Sequence, residues 1–338
     1  MDKDQLFSIC IPTYNRADCL DQVLSKMLPI CMQEQIHICI SDNASPDNTQ
    51  EVVCKYEKKY PIIHYHRHTS NIGSDDNFEY VLKMPNTRYR WLMSDTCYID
   101  SIDSVLHDLT EGDYDGYILN GGDGTRHMLL PKQKTYYTDS RLLMRDIGWH
   151  LTWISCMIYN ERLINKLDFK RYKNSSFNQT ALMFDPTASQ ECKICFNPNL
   201  TVKNLIINKE SGWQYHVFDV MYKQWYLLVM SLPLYYPYEI KMKCIRDNAN
   251  KAALLSKFFH IKRRSEGKWS IMDVYKNRFF IRQSDGGYFF LLFIGICPKF
   301  LLKAIVQPLS SLMSYLKENQ RTGNIIRKIY GVYVKVTH

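Results

Sequence analysis

Three apolar runs in the first hundred residues end alike, and no other feature of the chain restricts its fold as strongly. Residues 7–16 (FSICIPTYNR), 37–49 (HICISDNASPDNT) and 91–100 (WLMSDTCYID) each pass from buried-strand composition into Pro, Thr, Asn, Asp or Ser. The stretches between them carry apolar residues at helical spacing. Strands alternating with helices of this kind predict βαβ units and a mostly parallel, doubly wound α/β sheet. In such a sheet a ligand sits in the crevice beyond the carboxyl ends of the strands, so the three polar endings point to one pocket.

In chain order the pattern predicts strands over 6–11, 36–40, 62–66 and 88–93. Helices are expected over 18–27, 47–60 and 74–84, with Asp18 and Ser74 as caps. Further on, strands are expected at 117–120 and 152–159, helices at 141–146, 160–167 and 176–184, and two short strands around Asn197-Pro198. A first domain is expected over 1–208 and a helical, basic C-terminal region over 209–338. In that region 217–232 reads as an aromatic helix and 240–259 as a basic helix with one apolar side. Residues 288–306 (YFFLLFIGICPKFLLKAIV) are the most apolar window. Pro298, Lys299 and Lys303 interrupt it, leaving roughly ten uninterrupted residues where roughly 20 are needed to span a bilayer. It is therefore predicted to lie in the membrane interface. Lys262, Arg263, Arg264, Lys299 and Lys303 would then face anionic headgroups.

The net charge of +9 has one source. Residues 241–338 hold 19 Lys and Arg against 5 Asp and Glu, while the remainder holds 24 against 29. That asymmetry implies an anionic partner, and no nucleic-acid-reading motif accompanies it, which favours a membrane surface over nucleic acid. Eleven cysteines, an odd count scattered through apolar runs, read as buried thiols in a reducing cytoplasm. The one CxxC, Cys192 and Cys195, lacks the second pair a zinc site needs. MDKDQ leads straight into the first strand, so no signal peptide is expected.

Four motifs, SICIPTYNR, ISDNASPDNT, SNIGSDDNF and RWLMSDTCYI, follow one another in that order. They resemble the N-terminal signatures of family-2-type glycosyltransferases with a GT-A fold, in particular the bacterial transferases that build capsule and O-antigen polysaccharides. The resemblance covers residues 5–102 and fades towards 205. It implies a nucleotide-sugar donor. Pro12, Thr13 and Tyr14 would then wall the nucleobase, with Arg16 nearby, and Asp42 beside Asn43 would accept from a pyrimidine N3–H. Read by itself, Asp42 with Asn43 and Ser45 also fits an Asx-type turn. Asn71, Gly73 and Asn77 match the third signature, with Asp76 where the family usually has Arg. Asp75 and Asp76 also read as favourable charge at a helix N-terminus.

The fourth signature departs from the family. The resemblance implies successive aspartates, the first on ribose and the last on Mg²⁺ or Mn²⁺, a hard cation that prefers oxygen. Here Asp95 is followed by Thr96 and Cys97, and a thiol is a poor ligand for such an ion. Any metal would rest on Asp95; otherwise cations such as Arg16, Arg126 or Lys132 must neutralise the diphosphate. The resemblance also implies a general-base Asp opening a later helix, where this chain has Phe177-Asn178-Gln179. Asp123 in the Gly-rich loop, Asp185 and Glu191 are the candidates to replace it. Gly148-Trp149-His150 and Thr152-Trp153 read equally as a sugar-stacking wall and as core.

The sequence thus points to an inverting glycosyltransferase that uses a UDP-, dTDP- or GDP-sugar. It would extend a lipid-linked oligosaccharide at the cytoplasmic membrane face, and the C-terminal helices could pair chains as a homo-oligomer. The alternative is a non-catalytic nucleotide-sugar-binding or scaffolding subunit, motivated by Cys97 and Gln179 at normally acidic positions. GxSxG, GxxxxGK[ST] and GxGxxG are all absent, which removes the hydrolase, P-loop and dinucleotide-binding motifs.

Overall fold

The computed structural model describes residues 5–121, 129–205, 215–252 and 255–318. Apolar runs flanked by polar endings become strands, in chain order β1 (Phe7–Thr13), β2 (His37–Asp42), β3 (Ile63–Arg67), β4 (Tyr89–Leu92), β5 (Cys97–Tyr98), β6 (Gly116–Gly121), β7 (Thr135–Tyr137), β8 (Met157–Asn160) and β9 (Ile194–Asn204). They lie side by side as β3-β2-β1-β4-β8-β6-β9-β5, with β7 also on β9. β1 pairs in parallel with β2 and β4, β2 with β3, and β6 with β9, while β8 runs antiparallel between β4 and β6. The carboxyl ends of β1, β2, β3, β4, β6 and β9 therefore share one edge.

Helices α1 (Ala17–Glu34), α2 (Thr49–Glu57), α3 (Ser74–Lys83), α4 (Asp103–Glu111), α5 (Ser140–Ile147), α6 (Glu161–Lys166) and α7 (Asn178–Phe184) connect the strands. β1 is buried along its whole length, as expected of a central strand covered on both faces. Trp91 fills the core beside Phe7, and its indole N–H donates to the Ser155 carbonyl at 2.9 Å.

Several local expectations change. Asp18 sits in the first turn of α1 and does not cap it; the Ala17 N–H is taken by the Asp47 carboxylate of the next loop, at 2.9 Å. Gly73 caps α3 in place of Ser74. The strand expected over 152–159 is confined to Met157–Asn160; ahead of it lie two 3-10 turns, Gly148–Thr152 and Ile154–Cys156, which bury Trp149, His150 and Leu151. Residues 194–204 form one strand with a register shift opposite Leu119 and Asn120, where Pro198 has no N–H to pair.

The chain divides into two compact units, Met1–Lys209 with Ser231–Ile240, and Glu210–Met230 with Lys241–His338. The return of residues 231–240 to the first unit has a polar cause. The Tyr236 hydroxyl donates to the Phe184 carbonyl at 2.6 Å, and that of Tyr235 to Asp139 at 3.0 Å. In the second unit a π-helical turn, Phe218–Gln224, leads into α8 (Trp225–Ser231). It is followed by α9 (Tyr238–Lys251), α10 (Lys257–Ser265), α11 (Ile271–Lys276), α12 (Arg278–Gln283), α13 (Tyr288–Ile296) and α14 (Lys299–Glu318). The basic helix expected over 240–259 thus breaks in two, and Ser256 caps the second piece by accepting from the Phe259 N–H. Phe218, Tyr222, His260 and Trp269 make its aromatic core, where burial pushes the His260 imidazole down to about 3 and keeps it neutral.

Candidate active site at the strand tips

The parallel register of β1 and β2 sets Thr13 beside Asp42. One strand over, the Met93 N–H donates to the Cys10 carbonyl at 2.9 Å, which carries the chain of β4 out to Asp95. The Thr13 hydroxyl donates to Asp95 Oδ2 at 2.9 Å, and the Arg16 guanidinium reaches Asp95 Oδ1 at 3.2 Å. Asp42 and Asp95 therefore stand on either side of Thr13, at one edge of the sheet.

Asp42 is fully buried and well held. Its Oδ1 accepts from the Ser45 N–H at 2.8 Å, which is the Asx-type turn, and its Oδ2 accepts from the Tyr65 hydroxyl at 2.7 Å. Arg67 Nε lies 3.6 Å from Oδ2. A carboxylate offers about four acceptor directions, and these three contacts use most of them on a side chain with no exposed surface. Asn43 donates to Asn71 and to the Gly73 carbonyl, both at 3.1 Å, and accepts from the Ile72 N–H. Asn77 accepts from the Ser41 hydroxyl at 2.6 Å. Gly73 has φ of +89° with open space where a Cβ would stand, so backbone conformation and not crowding calls for glycine. Pro12 and Thr13 are buried in β1, whereas Tyr14 presents its ring to solvent, 45% exposed.

Asp95 is the second buried carboxylate. Burial pushes its carboxyl up from the ordinary value, and the Arg16 charge with the hydrogen bonds from Thr13 and Arg16 works against that. The next residues do not complete a metal site. Burial pushes the Cys97 thiol up to about 11, so it is neutral, and its Sγ donates to Asn204 Oδ1 at 3.1 Å. Among the described residues no group of three or more His, Cys, Asp or Glu is placed to hold an ion. One carboxylate already bound by a guanidinium, a Thr and a neutral thiol are a poor donor set for a hard divalent cation. The positive charge built into this spot belongs to Arg16.

The candidate bases part company. Asp123, with Arg126, lies outside the described residues. Asp185 follows the last turn of α7 and is taken by the Tyr172 hydroxyl at 2.8 Å and by Arg171. Glu191 is exposed just ahead of β9, at the edge of the sheet opposite the strand tips. Glu191 is therefore not brought to Asp42 and Asp95. Lys132 is exposed. Trp149 is core, but Trp153 is half-buried and lies against Gly121 at the tip of β6, where a Cβ would come within 1.7 Å of its ring.

Asp75 was legible only as helix-terminal charge, yet it is buried. Its Oδ2 accepts from the Ser176 N–H at 3.2 Å, its carbonyl accepts from Asn178 at 2.8 Å, and Oδ1 has no hydrogen-bond partner. It thus abuts the Phe177-Asn178-Gln179 segment, where the carboxylate was missing. Burial holds its carboxyl up at about 6, against hydrogen bonds from the backbone at Ser176, Ser175 and Asn174. Asp76 beside it is paired with Lys173 at 2.6 Å.

Residues 8–168 match the family model described as Glycosyl transferase family 2. The abequosyltransferase RfbV of Salmonella typhimurium is 38% identical over 213 residues, an alignment covering 55% of this chain and 62% of that protein. The chain thus spans less than two thirds of that relative's length. Among solved structures, S. aureus TarS 1-349 in complex with UDP-GlcNAc aligns with a TM-score of 0.56 at 16% identity, over 82% of this chain and 81% of TarS 1-349. The mannosyltransferase PcManGT of Pyrobaculum calidifontis, in complex with GDP-Man and Mn²⁺, aligns at 0.52 with 11% identity, over 89% and 86%. These likenesses are of fold: the chain has the α/β GT-A architecture with a helical C-terminal region.

A pH prediction follows from Asp75. Its folded value of about 6 lies above the unfolded value of about 3.9, so the stability it contributes is fully present below about pH 4 and lost as pH rises through 6. Denaturant unfolding of the wild type and Asp75→Asn from pH 4 to 8 should show the wild type losing stability relative to the variant across that window, with parallel curves above about pH 7.

Proposed function

We propose that this chain is an inverting glycosyltransferase that moves a sugar from a nucleotide diphosphate donor to a lipid-linked oligosaccharide in capsule or O-antigen synthesis. The observation that carries the reading is the pair of buried carboxylates, Asp42 and Asp95, flanking Thr13 at the carboxyl edge of the sheet. The abequosyl transfer named for the Salmonella relative and the UDP-GlcNAc and GDP-Man bound by the structural neighbours support it. In this scheme Tyr14 backs the nucleobase, Asp42 receives its N–H, and Asn43, Asn71, Gly73 and Asn77 shape the slot beside it. Asp95 receives ribose hydroxyls, and Arg16 lies beside the diphosphate.

The base in this scheme is Asp75, the buried carboxylate in the first turn of α3 that packs against the start of α7. A carboxyl with a value near 6 is ionised at neutral pH yet basic enough to take a proton. It removes the acceptor hydroxyl proton as that oxygen bonds to the anomeric carbon. The bond from that carbon to the diphosphate breaks on the opposite face, and the electron pair leaves with the diphosphate. Arg16 offsets the charge that develops there, and no step is assigned to Mg²⁺ or Mn²⁺. The eleven free thiols support a reducing cytoplasmic setting, and the basic C-terminal region supports work at the membrane face.

Calorimetry with UDP, dTDP, CDP and GDP should detect at least one nucleotide, with affinity changed less than about threefold between EDTA and Mn²⁺; Asp95→Asn should weaken it at least tenfold. Binding of none of them would overturn the reading. Asp75→Asn should bind that nucleotide normally but lower kcat at least a hundredfold. An unchanged kcat would remove Asp75 from the role, and nucleotide binding without transfer to any glycan acceptor would favour the non-catalytic subunit.

A further inference from the structure

Helix α13 is apolar on every side, YFFLLFIGI, and a helix of that composition is expected inside a protein core or inside lipid. Here the core takes only part of it. Leu291, Ile294 and Gly295 are buried, but Phe289, Phe293 and Ile296 are 79%, 67% and 72% exposed. Spaced four and three apart, these three form a single stripe on the helix. After Cys297-Pro298 the chain turns by 110° into α14. That helix buries Leu302 and Val306 and exposes Phe300, Leu301 and Ile305, the first at 69%. The two stripes meet at the elbow.

We propose that this elbow inserts into one leaflet of an anionic phospholipid bilayer, with its cations at the headgroups. The inference rests on the membrane-face reading above and gives it a surface. Between residues 286 and 311 there is no carboxylate, while Lys299 and Lys303 are exposed at the start of α14. Lys299 lies against Gly267, at the end of basic α10, and Arg264 of α10 donates to the Gly295 carbonyl at 2.9 Å. Exposed Arg282 lies over the Tyr288 ring at 4.2 Å, at the other end of α13. Apolar side chains at the tip with basic ones behind them match the acyl and phosphate layers of a bilayer.

The depth is limited by length. Among the described residues no single helix is long and apolar enough to cross a membrane. The nine residues of α13 reach roughly 13 Å, less than half of a hydrocarbon core of about 30 Å. A second copy of the chain is the less suitable occupant, because residues 241–338 carry 19 basic and 5 acidic groups and two such surfaces repel.

The test is flotation of the full chain with vesicles of phosphatidylcholine containing 30% phosphatidylglycerol, against pure phosphatidylcholine, at 0.1 and 0.5 M salt. The wild type should float with the anionic vesicles and at least tenfold less with the neutral ones, and high salt should weaken the binding. The triple variant Phe293→Ser, Ile296→Ser, Phe300→Ser alters only exposed side chains, so it should keep its thermal midpoint and nucleotide affinity while losing at least tenfold in vesicle binding. Wild type that stays in solution, or a variant that floats equally well, overturns the proposal. So does a wild-type dimer, seen by light scattering without lipid, that the variant abolishes. Nucleotide affinity measured on the same preparations is independent of flotation, so failure here leaves the transferase reading standing.

Discussion

The structure of the candidate site depends on one arrangement, a buried carboxylate at the tip of β4 held by a hydroxyl from β1 and a guanidinium from the start of α1. Removing an ionised carboxylate from water costs several kcal/mol, and only good partners offset it. Asp95 has Thr13 and Arg16, at 2.9 and 3.2 Å. Those partners exist because β1 and β4 run parallel and adjacent, so their tips emerge together. The same contacts place a cation at the position where the sequence resemblance implied a metal ion. A substitution of ligands, Thr96 and Cys97 after Asp95, is thereby accompanied by a local source of positive charge.

The loops beyond the tips are tied to one another as well as to their strands. The Asn15 N–H donates to the Ser45 hydroxyl and the Ala17 N–H to Asp47, so the loop after β2 caps the helix that follows β1. Asn43 reaches the Asn71–Gly73 turn in the same way. Asp47 further accepts from Thr49 at the start of α2. The edge of the sheet is thus a connected polar rim over an apolar core, with groups whose positions are already set by one another. Preorganisation of this kind lowers the ordering cost of binding.

Much of this was readable in the chain. Apolar runs closed by Pro12-Thr13, Asp42-Asn43 and Ser94-Asp95 gave the strand tips, because strand burial and the polarity of a sheet edge both leave marks in composition. What sequence did not show was long-range burial. Asp75 looks like any helix-terminal carboxylate until residues 174–178 fold over it. Asp185 looked available until Tyr172 and Arg171 closed on it. Tyr65 and Arg67 complete the surroundings of Asp42, and the end of β3 carried the same polar signature as the other tips. Tyr235 and Tyr236 draw their segment back to the first unit through hydrogen bonds to residues about fifty and a hundred positions earlier, a relation no local pattern records. Where the outcome depends on which partner a side chain finds across the fold, periodicity is silent.

Hydrogen exchange with and without a bound nucleoside diphosphate tests the central claim most directly, because it reads all the strand tips at once. If they form one slot, peptides covering residues 12–17, 41–47, 71–77 and 94–98 gain protection together on binding. Protection confined to one of these segments, or appearing only near Glu191 at the opposite edge of the sheet, would contradict a shared site.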